Sequence, residues 1–413
     1  MPPPKSVTPL EALRTVVERA RPVTCSVPLD EARGRYLADS IDSPPGAGFP
    51  DDPPSQRRAL WDGFAVPSPV RGADELTVAG ELGLKDRWPE GGIALGDCLR
   101  VECGVVLGDG VYAIVPVASV TALGGSRVRL ESSPEPRQGV ARPGRRGSAH
   151  SLPAGSRLTP RLEVYLLARG ARQVEVFRRL RVAVLCVGGE LKDVHLEPTV
   201  GGRPELTAPW LAASLERDGL EVIPLGIVAD DPREIREMVP RATGRRADAL
   251  VIVGGLGDGL VDRTGEALKS LGSRLFFERV TIAGLPGFVY GTSGGLEIFG
   301  LSGVPLWAAA SYDLWLRPAL LARLGCRQAA WDWSRWRRRL ESPTGVEPER
   351  PPDGPNWRLL AGAHPEAAGF ITGREPESYF SPWLAGTDAW VLVPPAGDAM
   401  GDQVYVQPLS ESH

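Results

Sequence analysis

The sequence predicts a multidomain protein of the α/β plus β class, with a parallel-sheet α/β domain, a β-rich domain and a small C-terminal β domain. From Arg181 onward, strand and helix patterns alternate, as they do in a parallel α/β domain. Residues 61–130 contain short apolar runs between Gly, Pro and Asp turns, which is typical of β structure. With 413 residues, the chain is too long for one ordinary core.

The first predicted element is a helix that begins at Thr8. This threonine is a helix-capping residue, Pro9 suits the first helical position and Glu11 completes a capping box. A second short helix is expected within VPLDEARGRYLADSI (residues 27–41), and a third within PRLEVYLLARGA (residues 160–171). In the sequence, these helices flank the β-rich segment.

The predicted α/β domain alternates strands with helices. Its strands are expected at residues 181–187, 220–228 and 249–253, and its helices near residues 206–218, 232–242, 263–271 and 306–324. After a Pro-rich linker, the tail resumes β-like runs, AWVLVPP and QVYVQPL. We therefore expect a small β domain at the end of the chain.

Composition and charge argue against several classes of protein. The formal net charge is −4, so a broad nucleic-acid-binding face is not expected. No apolar run is long enough to cross a membrane, and the N-terminus has no signal-peptide pattern. The five cysteines lack CxxC spacing and the four histidines are isolated. These features predict a cytoplasmic protein with reduced thiols, no structural zinc and no membrane or nucleic-acid partner.

Two strand-to-glycine turns are the most informative local feature. RVAVLCV followed by GGEL covers residues 181–191, and ADALVIV followed by GGLGDGLVD covers residues 247–262. In a parallel sheet, ligands bind beyond the carboxyl ends of the strands, where glycines let the backbone approach an anion. We therefore expect Glu190 and Asp262 at the rim of one cleft. The alternative, that GGLGDG is only a flexible turn leaving a buried strand, stays open at this point.

Carboxylates follow the ends of three predicted strands. They are Glu190, Asp230, Asp231, Asp258 and Asp262. Oxygen ligands of this kind suit Mg²⁺, which is usually shared with substrate phosphates. The alternative is that Asp230 and Asp231, which precede Pro232, only cap the next helix.

Two segments of the β-rich region carry further candidates. ALWDGFAV (residues 59–66) contains Asp62, and RVECGVVLGDGVYAIV (residues 100–115) contains Cys103. Either segment could be only a strand and its turn. Because no histidine lies near Cys103, a nucleophilic thiol is not expected there.

Taken in order along the chain, these segments resemble the molybdopterin molybdenumtransferase family (MoeA, and the gephyrin E domain in animals). The family motifs and their counterparts here are SAMDGYAV (59–66), RIMTGAPLPEGADAVV (100–115), TGDEL (187–191), GII.DD (226–231), SGGVSVGDYD (253–262) and GLPGNP (300–305). Each motif is degenerate, but the collinear order extends over essentially the whole chain.

The resemblance implies an elongated, four-domain subunit that forms a homodimer. It implies a discontinuous N-terminal linker and dimer domain (1–47 and 145–180), an inserted β-rich domain (48–144), an α/β molybdopterin-binding domain (181–328) and a C-terminal β domain (329–413). The active-site cleft of such a dimer combines the α/β domain of one subunit with the inserted domain of the other.

The resemblance also implies an activity, in which molybdate replaces AMP on adenylylated molybdopterin with the assistance of Mg²⁺. The matching catalytic positions are Glu190, Asp230, Asp262, Asp62 and Cys103, and the first three would also hold the metal. The matching cofactor-binding positions are Gly188, Gly189, Gly254, Gly255, Gly257, Arg279, Gly303 and Pro305. Other cofactor-biosynthesis proteins or apo-molybdoenzymes are the implied partners.

Several positions depart from the family motifs. Cys103 replaces a threonine, Gly189 and Ala149 replace aspartates, and Arg279 and Ala283 replace lysines. Two hypotheses follow. The chain is either a working molybdenum-inserting enzyme with a divergent site, or an impaired member that binds the pterin or acts as a scaffold. A related enzyme that uses tungstate is a third possibility.

Overall fold

The chain is described by a computed structural model. It covers residues 6–42, 57–141, 151–167, 170–194, 202–256, 263–282, 285, 287–326, 337–339, 358–362, 389–393 and 403–408. The chain divides into two compact units. The first unit comprises Met1–Asp39, Pro153–Thr159 and Gln173–His413, and the second comprises Ser40–Leu152 and Pro160–Arg172. The four domain boundaries given above stay predictions.

The strands and helices of the described residues are numbered in chain order. The strands are β1 (Ser6–Val7), β2 (Thr24–Pro28), β3 (Ile41–Asp42), β4 (Arg57–Arg58), β5 (Gly63–Val66), β6 (Glu75–Leu82), β7 (Asp97–Val101), β8 (Val106–Leu107), β9 (Ala113–Pro116), β10 (Val120–Gly124), β11 (Arg127–Leu130), β12 (Ser151–Leu152), β13 (Gln173–Phe177), β14 (Arg181–Val187), β15 (Leu191–Asp193), β16 (Arg203–Glu205), β17 (Glu221–Val228), β18 (Ala249–Val253), β19 (Arg274–Phe277), β20 (Arg279–Val280), β21 (Val289–Ser293), β22 (Leu296–Leu301), β23 (Arg337–Arg339), β24 (Arg358–Gly362), β25 (Ala389–Val393) and β26 (Gln403–Pro408). The helices are α1 (Pro9–Glu18), α2 (Pro160–Leu167), α3 (Thr207–Arg217), α4 (Pro232–Gly244), α5 (Arg263–Ser270), α6 (Pro305–Ser311) and α7 (Arg317–Arg323), with 3₁₀ turns at Leu29–Glu31 and Val117–Ser119 and a π-helical turn at Tyr312–Leu316.

The N-terminal helix forms where the capping box predicts it. The Thr8 hydroxyl accepts a hydrogen bond from the Glu11 amide, and the Glu11 carboxylate accepts one from the Thr8 amide at 2.8 Å. The prediction of a second helix within residues 27–41 is wrong. Its first residues belong to β2, which pairs antiparallel with β13 far along the chain. A 3₁₀ turn follows, and Gly34 at φ +79° interrupts any helical continuation.

The α/β domain contains a mixed sheet in the order β17-β14-β18-β22-β21-β19. The first four strands are parallel, as predicted. The sheet is nevertheless mixed and not parallel throughout, because β21 and β19 are antiparallel to their neighbours. The chain returns from β21 to β22 through Gly294 and Gly295, which have φ of +55° and +91°. Two successive glycines with positive φ make the tight hairpin turn that reverses the strand direction.

Both faces of this sheet are covered by helices. Along β14, Val182, Val184 and Cys186 pack into one hydrophobic cluster, together with α1, α3, α6 and α7. The alternate residues Ala183 and Leu185 pack into a second cluster, with α4 and α5. Because a parallel strand is buried on both faces, it becomes an almost continuous apolar run. Because helices cover both faces, a ligand can reach these strands only at their ends.

The second unit is β-rich, in agreement with the sequence. Its main sheet has the order β10-β11-β6-β7-β5-β9. Ala65 and Ile114 face one core cluster, whereas their neighbours Phe64 and Val115 face another. The alternation along β5 and β9 is the two-residue period of a sheet with both faces packed. Because β5 and β7 pair antiparallel with Gly63 opposite Val101, the turn before β5 lies beside the turn after β7.

The C-terminal strands form an antiparallel sheet in the order β23-β26-β25-β24. Two side chains of β25, Trp390 and Leu392, are buried in the same hydrophobic cluster as α1 and α7. The Trp390 indole N–H donates a hydrogen bond of 2.9 Å to the carboxylate of Asp313, in the π-helical turn. Burial raises the pKa of Asp313 to about 6, although the hydrogen bond and two nearby arginines oppose that rise.

We expect the Asp313→Asn variant to be more stable than the wild type above pH 6. A carboxyl group whose folded-state pKa is raised from 3.8 to about 6 stabilises the folded protein at low pH. The stability is lost as the pH rises between those values, by up to about 3 kcal/mol. Asparagine still accepts the Trp390 hydrogen bond and carries no charge. Thermal unfolding between pH 4 and pH 8 should show the two proteins converging near pH 4, and parallel profiles would contradict the prediction.

None of the helices described is long and apolar enough to cross a membrane.

Candidate functional site

Three neighbouring parallel strands of the α/β sheet have their carboxyl ends side by side. They are β14, β18 and β22, and their turns contact each other directly. The Gly254 amide, after β18, donates a 2.9 Å hydrogen bond to the carbonyl oxygen of Leu301, the last residue of β22. A Cβ on Gly254 would lie 2.4 Å from the carbonyl oxygen of Val187 in β14, and a Cβ on Gly303 would lie 3.3 Å from the Gly254 Cα. This crowding admits only backbone, so glycine is required at Gly254.

The first glycine turn is tied to the neighbouring strand β17. The Gly188 amide donates to the carbonyl oxygen of Val228 at 3.0 Å. The Gly189 amide donates to the Asp230 carboxylate at 3.2 Å. Gly189 and Glu190 are both exposed, and nothing lies within 4 Å of a Cβ built on Gly189. The turn therefore leaves open space beside an exposed carboxylate.

The two aspartates after β17 have different roles. Asp231 caps α4, because its carboxylate accepts a hydrogen bond from the Arg233 amide at 2.8 Å. Asp230 instead binds the Gly189 amide across the turn. The capping alternative thus holds for Asp231, whereas Asp230 joins two strand ends.

The second glycine turn is held from below by a buried threonine. Gly254 and Gly255 have φ of +99° and +67°. Thr264, in the first turn of α5, is fully buried. Its hydroxyl donates to the Gly254 carbonyl oxygen at 3.2 Å, and its amide donates to the Gly255 carbonyl oxygen at 3.3 Å. Thr264 was not predicted as a site residue, although a hydroxyl residue at the start of the helix after the glycines is a weak signal in the sequence.

A second hydroxyl residue that was not predicted as part of the site, Ser302, lies after β22. Ser302 is buried, and its Oγ accepts a hydrogen bond of 3.1 Å from the Val304 amide. This contact shapes the turn that carries Gly303 toward Gly254. Pro305 then begins α6 at the position where a missing amide hydrogen costs nothing.

Cys186 lies near the end of β14, just before the first glycine turn, and the Glu205 carboxylate at the end of β16 is close to its thiol. The Glu205 carboxylate is buried and accepts hydrogen bonds from the amides of Thr207 and Ala208, at the start of α3. Burial, with the charge of Glu205, raises the pKa of the Cys186 thiol well above its ordinary value. The thiol therefore stays protonated at neutral pH and is not a nucleophile.

Asp62 and Cys103 contact each other in the second unit. The Asp62 carboxylate accepts a hydrogen bond of 2.7 Å from the Cys103 amide. The Cys103 thiol donates to the carbonyl oxygen of Leu60 at 3.2 Å. Gly104, with φ of +88°, completes the turn and donates to the Ala59 carbonyl oxygen. Both side chains that the sequence singled out are thus exposed parts of one turn structure.

Arg279 is the remaining candidate within the described residues. It is exposed on β20, opposite Ser6 of β1. Several predicted positions lie outside the described residues, namely Gly257, Asp258, Asp262, Ala149 and Ala283.

The described residues offer few side chains that could coordinate a divalent cation. Within the described ranges, no group of three or more His, Cys, Asp or Glu side chains is placed to hold a metal ion. Glu190 and Asp230 follow adjacent strands and supply two carboxylates. Mg²⁺ commonly binds through one or two carboxylates together with substrate phosphates. The donor set suits that mode of binding, rather than a metal cage built from protein alone.

The chain is similar to known proteins over most of its length. Residues 183–322 match a family described as "Probable molybdopterin binding domain", and residues 7–170 match the MoeA N-terminal region, described as domains I and II. A molybdopterin molybdenumtransferase from Haemophilus influenzae is 27% identical over 308 residues, or 73% of each chain. One from Synechococcus elongatus is 26% identical over 408 residues, which cover 93% of this chain and 94% of the relative.

The fold is also shared with a solved structure. A molybdopterin biosynthesis MoeA protein from Pyrococcus horikoshii OT3 superposes with a TM-score of 0.63 and 22% identity, covering 98% of this chain and 100% of that one. At this identity the likeness concerns the fold alone. The two matched regions follow the order of the sequence motifs and span the N-terminal and α/β parts. The chain therefore belongs to the MoeA family of molybdopterin molybdenumtransferases.

Proposed function

We propose that the chain inserts molybdate into adenylylated molybdopterin and releases AMP. One observation carries the proposal. The turns after β14, β18 and β22 meet backbone to backbone, and the exposed Glu190 lies on the first of them. Curated relatives with this activity in their names align over as much as 93% of the chain, which supports the same conclusion.

The reaction breaks a pyrophosphate bond, so negative charge develops on the phosphates on both sides of it. The proposed role of Gly189, which has open space beside it, is to let the pterin phosphate approach the backbone closely. Gly188, Gly254 and Gly255 are proposed to hold the two turns in the shape that permits this approach. Asp230 fixes the first turn by accepting the Gly189 amide hydrogen bond. A turn that is already held in place reorganises little when the ligand binds, which favours catalysis.

We propose that Glu190, Asp230 and Asp262 hold Mg²⁺ with the substrate phosphates. The cation would neutralise phosphate charge there. Arg279 would contribute a further positive charge, and Gly257, Gly303 and Pro305 would complete the pterin-binding turns. Asp62 and Cys103 are proposed to contribute from the inserted domain, where the Asp62 carboxylate holds the Cys103 amide. We propose further that the protein acts as a homodimer in the cytoplasm, as the family resemblance implies.

The proposal is tested by AMP release from adenylylated molybdopterin in the presence of molybdate and Mg²⁺. We expect the wild type to release AMP, and Glu190→Gln to lower the rate about 10²- to 10³-fold, as loss of a preorganised charged group does. Glu216→Gln is the control. Glu216 is an exposed glutamate in the last turn of α3, and it is not assigned to the site. Equal rates for wild type and Glu190→Gln would contradict the assigned role of Glu190.

A second candidate function is pterin binding without turnover. Two observations favour it. Gly189 has no side chain where the family motif carries an aspartate, and the Cys103 thiol is engaged with the Leu60 carbonyl oxygen. A molybdopterin-binding measurement beside the same assay separates the two functions, because a wild-type protein that binds molybdopterin yet releases no AMP fits only the second.

A further inference from the structure

Thr264 bonds to both glycines of the second turn. Its hydroxyl donates to the Gly254 carbonyl oxygen at 3.2 Å, and its amide donates to the Gly255 carbonyl oxygen at 3.3 Å. A Cβ on Gly255 would lie 2.5 Å from the Thr264 hydroxyl oxygen. The threonine is fully buried. Its position is therefore fixed by packing as well as by hydrogen bonds.

The glycine turn needs such support because its conformation is costly to hold. Gly254 and Gly255 both have positive φ, and glycine loses more conformational freedom on folding than any other residue. Gly254 is buried between β14 and β22. Removing the Thr264 hydroxyl would leave the carbonyl oxygen of the buried Gly254 without this hydrogen bond. The loss of a hydrogen bond at a buried acceptor destabilises the folded turn substantially.

We propose that Thr264 is a positioning residue, which holds the second glycine turn in the shape that binds the pterin phosphate. The inference rests on the proposed function, because the turn is the proposed binding site. Thr264 acts through Gly254 and Gly255 and does not itself touch the ligand. Serine preserves the donor, whereas valine keeps the size of the side chain and places a methyl group against the Gly254 carbonyl oxygen.

The test is equilibrium binding of molybdopterin, followed by fluorescence, to full-length wild type, Thr264→Val and Thr264→Ser. We expect Thr264→Val to bind about tenfold more weakly and Thr264→Ser to bind within about twofold of the wild type. Ile235→Val is the matched control. Ile235 is fully buried on α4 in the same hydrophobic cluster as Leu256, and its truncation lowers stability moderately without removing a hydrogen bond from the turn. If Thr264→Val does not fold, Thr264→Ala takes its place with the same expected loss.

Each outcome decides between the proposals. Wild-type-like affinity in Thr264→Val, or an equal loss of affinity in Ile235→Val, would overturn the positioning role. A Thr264→Ser variant that binds molybdopterin as weakly as Thr264→Val would also overturn it. If the wild-type protein does not bind molybdopterin at all, the proposed function fails, which is a result distinct from these.

Discussion

Replacing Gly254 with alanine is expected to destabilise the protein by about 3 kcal/mol or more. A non-glycine residue at positive φ is strained by about 1–3 kcal/mol. Gly254 has φ of +99°, and its added Cβ would lie 2.4 Å from the carbonyl oxygen of Val187. That oxygen belongs to the backbone of β14, which is hydrogen-bonded on both sides and cannot move away without disrupting the sheet.

Denaturant unfolding measures this effect, and Gly189→Ala is its matched control. Gly189 is not at positive φ, and open space surrounds the position where its Cβ would be. Its substitution should change stability by no more than about 0.5 kcal/mol. Similar unfolding midpoints for the two variants would show that the crowding at Gly254 is not as described.

Asp218→Ala is expected to cost about 3–5 kcal/mol, because it removes the buried carboxylate that pairs with the largely buried Arg317. The Asp218 carboxylate accepts hydrogen bonds from Arg317 at 2.7 and 3.1 Å and from the Tyr312 hydroxyl at 2.6 Å. The Asp218 side chain is 7% exposed and that of Arg317 is 19% exposed. Burial and the nearby carboxylate raise the pKa of Tyr312 well above its ordinary value, so the hydroxyl remains a donor at every pH of interest.

Glu221→Ala provides the comparison for that variant. Glu221 pairs with Arg181 at 2.9 Å, but its side chain is 54% exposed. Exposed ion pairs contribute about 0–1 kcal/mol. Chemical denaturation of both variants should therefore separate them by at least about 2 kcal/mol. A cost for Asp218→Ala no greater than that for Glu221→Ala would contradict the importance of this buried network.

The sequence predicted the elements that have local signals. Strand β18 lies at the predicted residues 249–253, and the capping box of Thr8 and Glu11 begins α1. The second predicted helix failed because the pairing of β2 with β13 joins segments about 150 residues apart, and no local pattern records it. The antiparallel part of the sheet was missed although Gly294 and Gly295 give a recognisable hairpin turn.

The candidate site was predictable to a similar extent. The glycine turns and Glu190 were evident because strands that end in glycine leave a distinct pattern. The sequence could not tell Asp230 from its neighbour Asp231, since both suit a helix cap, and only the tertiary contact with Gly189 separates them. Thr264 begins a predicted helix but matches no motif, so its hydrogen bonds to the glycine turn became evident only from the structure.

Molybdopterin is proposed to bind at the open space beside the first glycine turn. The most direct test is molybdopterin binding to Gly189→Trp and Gly244→Trp. Both glycines are exposed, neither is at positive φ, and nothing lies within 4 Å of either added Cβ. Gly244 ends α4, so it lies toward the opposite end of the sheet. We predict at least tenfold weaker binding for Gly189→Trp and unchanged binding for Gly244→Trp. Wild-type binding by Gly189→Trp would contradict the account.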